Sequence, residues 1–235
     1  PDAIKDPILV GGEMVSPDLP AGDYLRIEGT GVMLNVAGQT LAGDLVIEHV
    51  TRADTTTVTR VAANNISLSL GDGNSEFVHL ANGQGFFLIT SEGLAGSLSG
   101  TVSINIPGVG FSAQMTLDIN NTETAINESL TIGGNPVNLM LPMGPYLRVS
   151  GVGVTLQALG LDVRGDFVFE ESMIAGQTVT TLVLDNASLG LGDGNTEFVS
   201  LTNGSGMLTL TNEGIRGEFS ATLAVNVPNV MLTGN

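Results

Sequence analysis

The sequence contains no cysteine and no tryptophan, and aromatic residues make up only 4% of its 235 residues. Without cysteine, neither a disulfide framework nor a thiolate metal site can form. Only 7 residues are basic against 24 acidic ones, which gives a formal net charge of −17. A surface this acidic repels phosphate, so we expect no nucleic acid partner and no binding to an anionic membrane. No apolar run approaches the ~20 residues of a membrane helix, so we also expect no membrane insertion.

Glycine is abundant, with 32 residues, and hydrophobic residues make up 42% of the chain. The hydrophobic residues alternate with polar or small ones, as in 66–70, 102–106 and 111–119. This period of two is typical of antiparallel strands with one buried and one wet face. Gly-rich and Asn-rich turns separate the alternating stretches, and we therefore predict an all-β fold.

The dominant feature is an internal repeat. Residues 22–27, Gly-Asp-Tyr-Leu-Arg-Ile, recur as Gly-Pro-Tyr-Leu-Arg-Val at 144–149, an offset of 122. Residues 70–78 recur at 191–199 with an offset of 121. Self-similarity at one long period indicates a tandem array of structural units.

We define a first unit as residues 1–121 and a second unit as residues 122–235. The change of offset requires one deletion, which we place near 52–57 in a hairpin tip, because exposed turns tolerate such changes. The strand-like segment 109–120 has only a short counterpart at 230–235. We therefore expect the last strand of the second unit to be truncated.

Two architectures fit this pattern. The first is a pair of tandem antiparallel β-sandwich-like units. The alternative is an elongated, stacked β-meander closer to a solenoid. The alternation itself does not distinguish them, because both bury one face of each strand.

A Gly-Asp-Gly-Asn loop occurs once in each unit and is the candidate metal site. Each loop places three oxygen-bearing side chains at positions i, i+2 and i+4: Asp72, Asn74 and Glu76, and Asp193, Asn195 and Glu197. Calcium takes six to eight oxygen ligands, and such a loop supplies several of them. The alternative is a tight hairpin turn, which Asp-Gly and Gly-Asn form without any metal.

No catalytic constellation is shared by the two units, and we expect no enzyme activity. Glycan binding is the alternative function, but its aromatic platforms would have to be Tyr24 and Tyr146 alone. The tripeptide Arg164-Gly165-Asp166 spells an adhesion motif, yet it falls within a strand pattern rather than at a loop tip.

In the style of their repeat, residues 66–73 and 92–109 resemble tandem repeats of about 120 residues in giant, secreted, acidic bacterial surface proteins of the hemolysin-type or large-adhesin kind. The resemblance implies export to the cell surface, an association with calcium, and a spacer or adhesive role. The expected function is thus a non-enzymatic structural or adhesive module of a long extracellular protein or filament. Neighbouring repeats are its expected partners.

The truncated strand also predicts head-to-tail self-association. A slot next to the last complete strand of the second unit would leave backbone donors and acceptors open. Residues 4–10 are the candidate donor from another chain, in the manner of strand addition. Heterologous contacts of this kind propagate into filaments rather than closed dimers.

Overall fold

The structure is a computed structural model. It describes residues 3–17, 19, 22–36, 39–52, 55–71, 76–106, 109–158, 161–174, 176–193, 196–227 and 230–234. Every regular element in these ranges is a β-strand, which confirms the all-β prediction. The strands run as follows: β1 Ile8–Val10, β2 Glu13–Val15, β3 Tyr24–Val36, β4 Gln39–Thr51, β5 Thr57–Gly71, β6 Glu76–Thr90, β7 Gly93–Ile106, β8 Val109–Asn120, β9 Ile126–Ile132, β10 Asn135–Leu141, β11 Tyr146–Ala158, β12 Leu161–Ile174, β13 Gln177–Gly192, β14 Glu197–Thr211, β15 Gly214–Val227 and β16 Val230–Gly234.

Twelve of these strands form one antiparallel sheet that crosses both units. Its order is β16-β15-β14-β13-β12-β11-β8-β7-β6-β5-β4-β3, so each strand lies beside its sequence neighbour except where β8 meets β11. The β8–β11 pairing joins the first unit to the second, from Tyr146 opposite Asn120 to Ala158 opposite Val109. The described strands therefore follow the meander interpretation, and the two units share a sheet instead of forming separate sandwiches.

The long strands carry matched bulges near their middles. Asn65, Asn82, Asn186 and Asn203 all have positive φ, between 50° and 54°. Each lies where the pairing register shifts. Asparagine visits this left-handed region more readily than most residues. A bulge bends its strand and increases its twist, so the two units bend at equivalent places.

The predicted deletion also falls where expected. Strand β4 ends at Thr51 and β5 begins at Thr57, while β12 ends at Ile174 and β13 begins at Gln177. Both connections are hairpin tips, and the second is shorter. In the first tip, the Thr55 amide donates to the Arg52 carbonyl at 2.9 Å.

Two short hairpins lie outside the large sheet. One is β1–β2 and the other is β9–β10. Strands β9 and β10 contact β4 to β8 of the first unit. Their alternating burial turns one row of side chains inward. The core is formed by twelve buried hydrophobic residues, six from the sheet and six from the hairpin: Val46, Val58, Ala62, Phe86, Leu88, Ala95, Ile126, Leu130, Ile132, Val137, Leu139 and Leu141.

The buried amide of Asn120 holds the root of hairpin β9–β10. Its Nδ2 donates to the carbonyls of Thr124 at 2.8 Å and Pro142 at 2.7 Å. Its Oδ1 accepts from the Thr122 amide at 2.9 Å and from the Thr122 hydroxyl at 2.8 Å. One side chain thus ties the end of β8 to both arms of the hairpin, and all its hydrogen-bonding capacity is used.

The final strand is short, as expected. Strand β16 covers β15 only from Leu223 to Val227. In the first unit, by comparison, β8 pairs with β7 from Ala95 to Ile106. Strand addition by residues 4–10 of another chain stays a prediction. Within this chain their counterpart, β9, pairs with β10 and covers a sheet face. It does not extend the sheet.

Candidate functional site at the joint between the units

We use the term joint for the contact between hairpin β9–β10 and the face of strands β3–β7. A chain of alternating charges crosses it. The Arg60 guanidinium donates to Glu48 Oε1 and to Glu128 Oε2, both at 2.8 Å. The Arg26 Nη1 lies 3.3 Å from Glu48 Oε2, and Arg52 pairs with Glu128. Three of the six arginines in the sequence therefore meet here.

The central members of this ionic chain are largely withdrawn from water. The side chains of Glu48, Arg60 and Glu128 are between 12% and 18% exposed. Burial lowers the pKa of Arg60, but the hydrogen bonds and charges of Glu128 and then Glu48 together outweigh it, so the pKa is raised overall. Charged pairs at such depth stabilise only when they are well matched, because desolvation works against them. In this chain of ion pairs each carboxylate lies between two guanidinium groups, so that neighbouring charges are opposite in sign.

The sheet also grips the backbone of the hairpin. Arg26 Nη2 donates to the Thr131 carbonyl at 2.6 Å, and the Gly133 amide donates to Glu28 Oε1 at 2.7 Å. The Gly133 amide, followed by the Arg26 guanidinium, lowers the pKa of Glu28. Both bonds lie near the turn of the hairpin, whereas Glu128, earlier in β9, makes the ion pairs.

Sequence reasoning missed this site. Arg60 and Glu128 are 68 positions apart in the sequence, so no local motif links them. One signal was present: three of the six arginines lie in the first unit, two of them within strands β3 and β5. Glu128, which lies shortly after the boundary between the two units, bridges Arg52 and Arg60.

A three-strand clip recurs in both units. Asp44 accepts from the Gly31 amide and from Asn65 Nδ2, both at 2.8 Å. In the second unit, Asp166 accepts from the Gly153 amide at 2.7 Å and from Asn186 at 3.0 Å. These bonds lower the pKa of both carboxyls.

The Arg-Gly-Asp tripeptide contains one of the two clip residues. Asp166 lies within β12 and pairs with Asp185 of β13, which confirms the strand interpretation of the motif. Neighbouring Arg164 donates to Asp162 at 2.9 Å and 2.8 Å. The charged residues of the tripeptide are thus engaged within the sheet.

The two tyrosines occupy equivalent positions. Tyr24 donates to Glu48 and Tyr146 donates to Glu170, each at 3.2 Å. Burial, and then the neighbouring carboxylate, raises the pKa of each phenol above 10.0. Both rings are half-buried. Both hydroxyls thus bind carboxylates of the neighbouring strand within the sheet. Glycan binding through the two tyrosines stays a prediction.

The candidate calcium loops lie mostly outside the described residues. Asp72, Asn74 and Asn195 are not described, and neither is the side chain of Glu76. Asp193 Oδ1 accepts from the Thr196 amide at 2.7 Å, a bond within the turn. The Glu197 carboxylate lies over Gly190 of the adjacent strand. Across the described residues, no three His, Asp or Glu side chains come together in a way that could hold a metal ion.

A cavity of about 510 Å³ lies over β13, β14 and β15. Its lining includes the carboxylates Asp185 and Glu218 together with Met207. The matching positions of the first unit hold Asn64 and Ser97. This pair of carboxylates therefore belongs to one unit only and is not a feature of the repeat.

No helix that could cross a membrane occurs in the part of the chain that the structure describes. The sequence matches no protein-family model, and comparisons with curated proteins and with solved structures give no match.

Proposed function

We propose that the chain is a non-enzymatic structural repeat module of a long extracellular surface protein, in which it acts as a spacer or adhesive segment. The observation that supports this proposal is the joint. The second unit supplies the hairpin that covers the first unit, and the sheet continues from one unit to the next. Units that complete their neighbours stack in one dimension, as repeat proteins do.

The distribution of charge supports the same role. The sequence has few cations, and three of its arginines stabilise the contact between units. A module with a net charge of −17 repels its copies at long range, so close stacking requires specific local attraction. Calcium bound at the Gly-Asp-Gly-Asn loops would relieve part of this repulsion, and it forms part of the proposal.

The first test concerns location. Antibodies raised against the chain should label intact cells of the source organism, and external protease should remove the label. Labelling that appears only after permeabilisation would contradict the extracellular role. A cytoplasmic protein of the same cells, probed in parallel, serves as the control for membrane integrity.

The second test concerns shape. Each unit adds six strands to the sheet. At ~4.8 Å between strands, one further unit should lengthen the particle by roughly 29 Å. Small-angle scattering of this chain and of a tandem fusion should show that increment with a rigid profile. A flexible profile with independently moving units would contradict the spacer role.

A further inference from the structure

Hairpin β1–β2 is the structural counterpart of β9–β10. Both turns consist of two glycines with positive φ, 61° and 93° in the first hairpin and 54° and 82° in the second. The pairings agree at an offset of 122 residues: Ile8 opposite Val15 matches Leu130 opposite Val137, and Ile4 opposite Leu19 matches Ile126 opposite Leu141. The same hairpin therefore occurs twice, and β9–β10 is the copy whose inward row packs on a sheet face.

The two hairpins differ in what covers them. The inward row of β9–β10 is buried, and Ile126, Ile132, Val137 and Leu141 are between 2% and 8% exposed. The matching row of β1–β2 is also apolar, yet Ile4, Val10, Val15 and Leu19 are between 39% and 54% exposed. Adjacent exposed apolar residues mark protein contacts more often than singly scattered ones do.

The sheet of the second unit carries the matching face. Val46, Ala62 and Phe86 form one row across β4, β5 and β6 under hairpin β9–β10. Their counterparts across β12, β13 and β14 are Val168, Val183 and Met207. Phe86 is 1% exposed whereas Met207 is 49% exposed. The second unit thus keeps an apolar row, and no counterpart of β9–β10 packs on it within the described residues.

The polar contacts that hold a hairpin are also partly repeated. Tyr146, Arg148 and Glu170 stand where Tyr24, Arg26 and Glu48 stand in the first unit. Arg148 lies opposite Glu170, as Arg26 lies opposite Glu48. It occupies the position from which Arg26 reaches a hairpin carbonyl.

We propose that hairpin β1–β2 of one molecule docks onto the β11–β15 face of a second molecule, in the arrangement that β9–β10 adopts on the first unit. The proposal rests on the proposed function only in treating the chain as a stacking repeat. Donor and acceptor surfaces lie in different units, so the contact is heterologous and propagates head to tail.

One position gives a direct test by gain of affinity. Asp6 stands where Glu128 stands, but Thr181 replaces Arg60, so the cross-joint ion pair has no basic partner. Thr181→Arg should restore that pair and tighten association several-fold. Asp6→Asn should cancel the gain. A merely structural effect of Thr181→Arg would persist in the Asp6→Asn background and would overturn the assignment.

Blocking variants test each surface of the full chain separately. Val10→Asp places a charge in the donor row, and Met207→Asp places one on the acceptor face. Leu9→Asp is the matched control, because its counterpart Thr131 is exposed on the outer side of β9. Circular dichroism should verify that all three variants fold, which is expected since all three positions are exposed.

Sedimentation velocity over a wide concentration range, in salt that screens the net charge, supplies the readout. The parent chain and Leu9→Asp should associate in a concentration-dependent manner, while Val10→Asp and Met207→Asp should each associate more than about tenfold less tightly. A mixture of the two blocked variants should form dimers that do not grow further, since one intact donor meets one intact acceptor.

Three results would overturn the proposal: a parent chain that stays monomeric, a mixture without dimers, or a Leu9→Asp defect equal to that of Val10→Asp. A monomeric result would leave the surface-labelling test of the proposed function unaffected.

Discussion

Replacing Leu139 with alanine should selectively weaken the joint. Leu139 is 1% exposed and lies among the hairpin and sheet residues of the core. The change removes three carbon atoms and leaves a cavity, and such substitutions cost about 2–5 kcal/mol of unfolding free energy. In a chain of this length, a loss of ~3 kcal/mol lowers the melting temperature by roughly 6–12 °C. Urea and thermal denaturation measure both quantities.

The adjacent residue provides a matched control. Met140 lies on the other side of the same strand and is 75% exposed. Met140→Ala should change stability by no more than about 0.5 kcal/mol. In Leu139→Ala, amide hydrogen exchange should accelerate relative to the parent chain at Val46 and Leu88, which the hairpin covers. The distant strand β15 should show a smaller acceleration. Equal effects of the two alanine variants would refute the packing of β9–β10 on the sheet.

Three further predictions follow from the charged groups. Glu128→Gln should cost about 1–3 kcal/mol, because it removes one of the two carboxylates that pair with the partly buried Arg60 and the carboxylate that pairs with Arg52. Arg164→Gln removes a solvent-exposed pair and should leave the denaturation midpoint nearly unchanged. The pKa of Asp44 is held below 3.8, so its bonds stabilise the native state above that value and are lost as pH falls through the lower native pKa. Carboxyl NMR should show this, and Asn65→Ala should move the pKa upward; a native pKa at or above 3.8 would contradict the clip. Calcium should raise the melting temperature and a chelator should lower it if the Gly-Asp-Gly-Asn loops bind the ion, and no change in low salt would remove the metal interpretation.

The sequence was most informative where structure depends on local pattern. Alternation predicted the strands, and the one-residue deletion located the β4–β5 and β12–β13 tips, because turns and strand faces are decided over a few residues. Alternation says nothing about the partner of a strand. Residues 126–132 alternate like any sheet strand, and their departure from the sheet depends on the buried Asn120 and on the face that receives them. The joint was therefore beyond local reasoning.

The two sheet faces differ in chemistry at two equivalent positions. Thr209 and Arg216 replace Leu88 and Ala95, and in both units the two residues lie opposite each other on neighbouring strands. The first face is thus apolar where the second carries a hydroxyl and a cation. A hairpin suited to one would leave unpaired charge or lost apolar contact on the other, and such mismatches discriminate between partners. In the stacked array that we propose, this difference would favour one pairing of hairpin and face over the other.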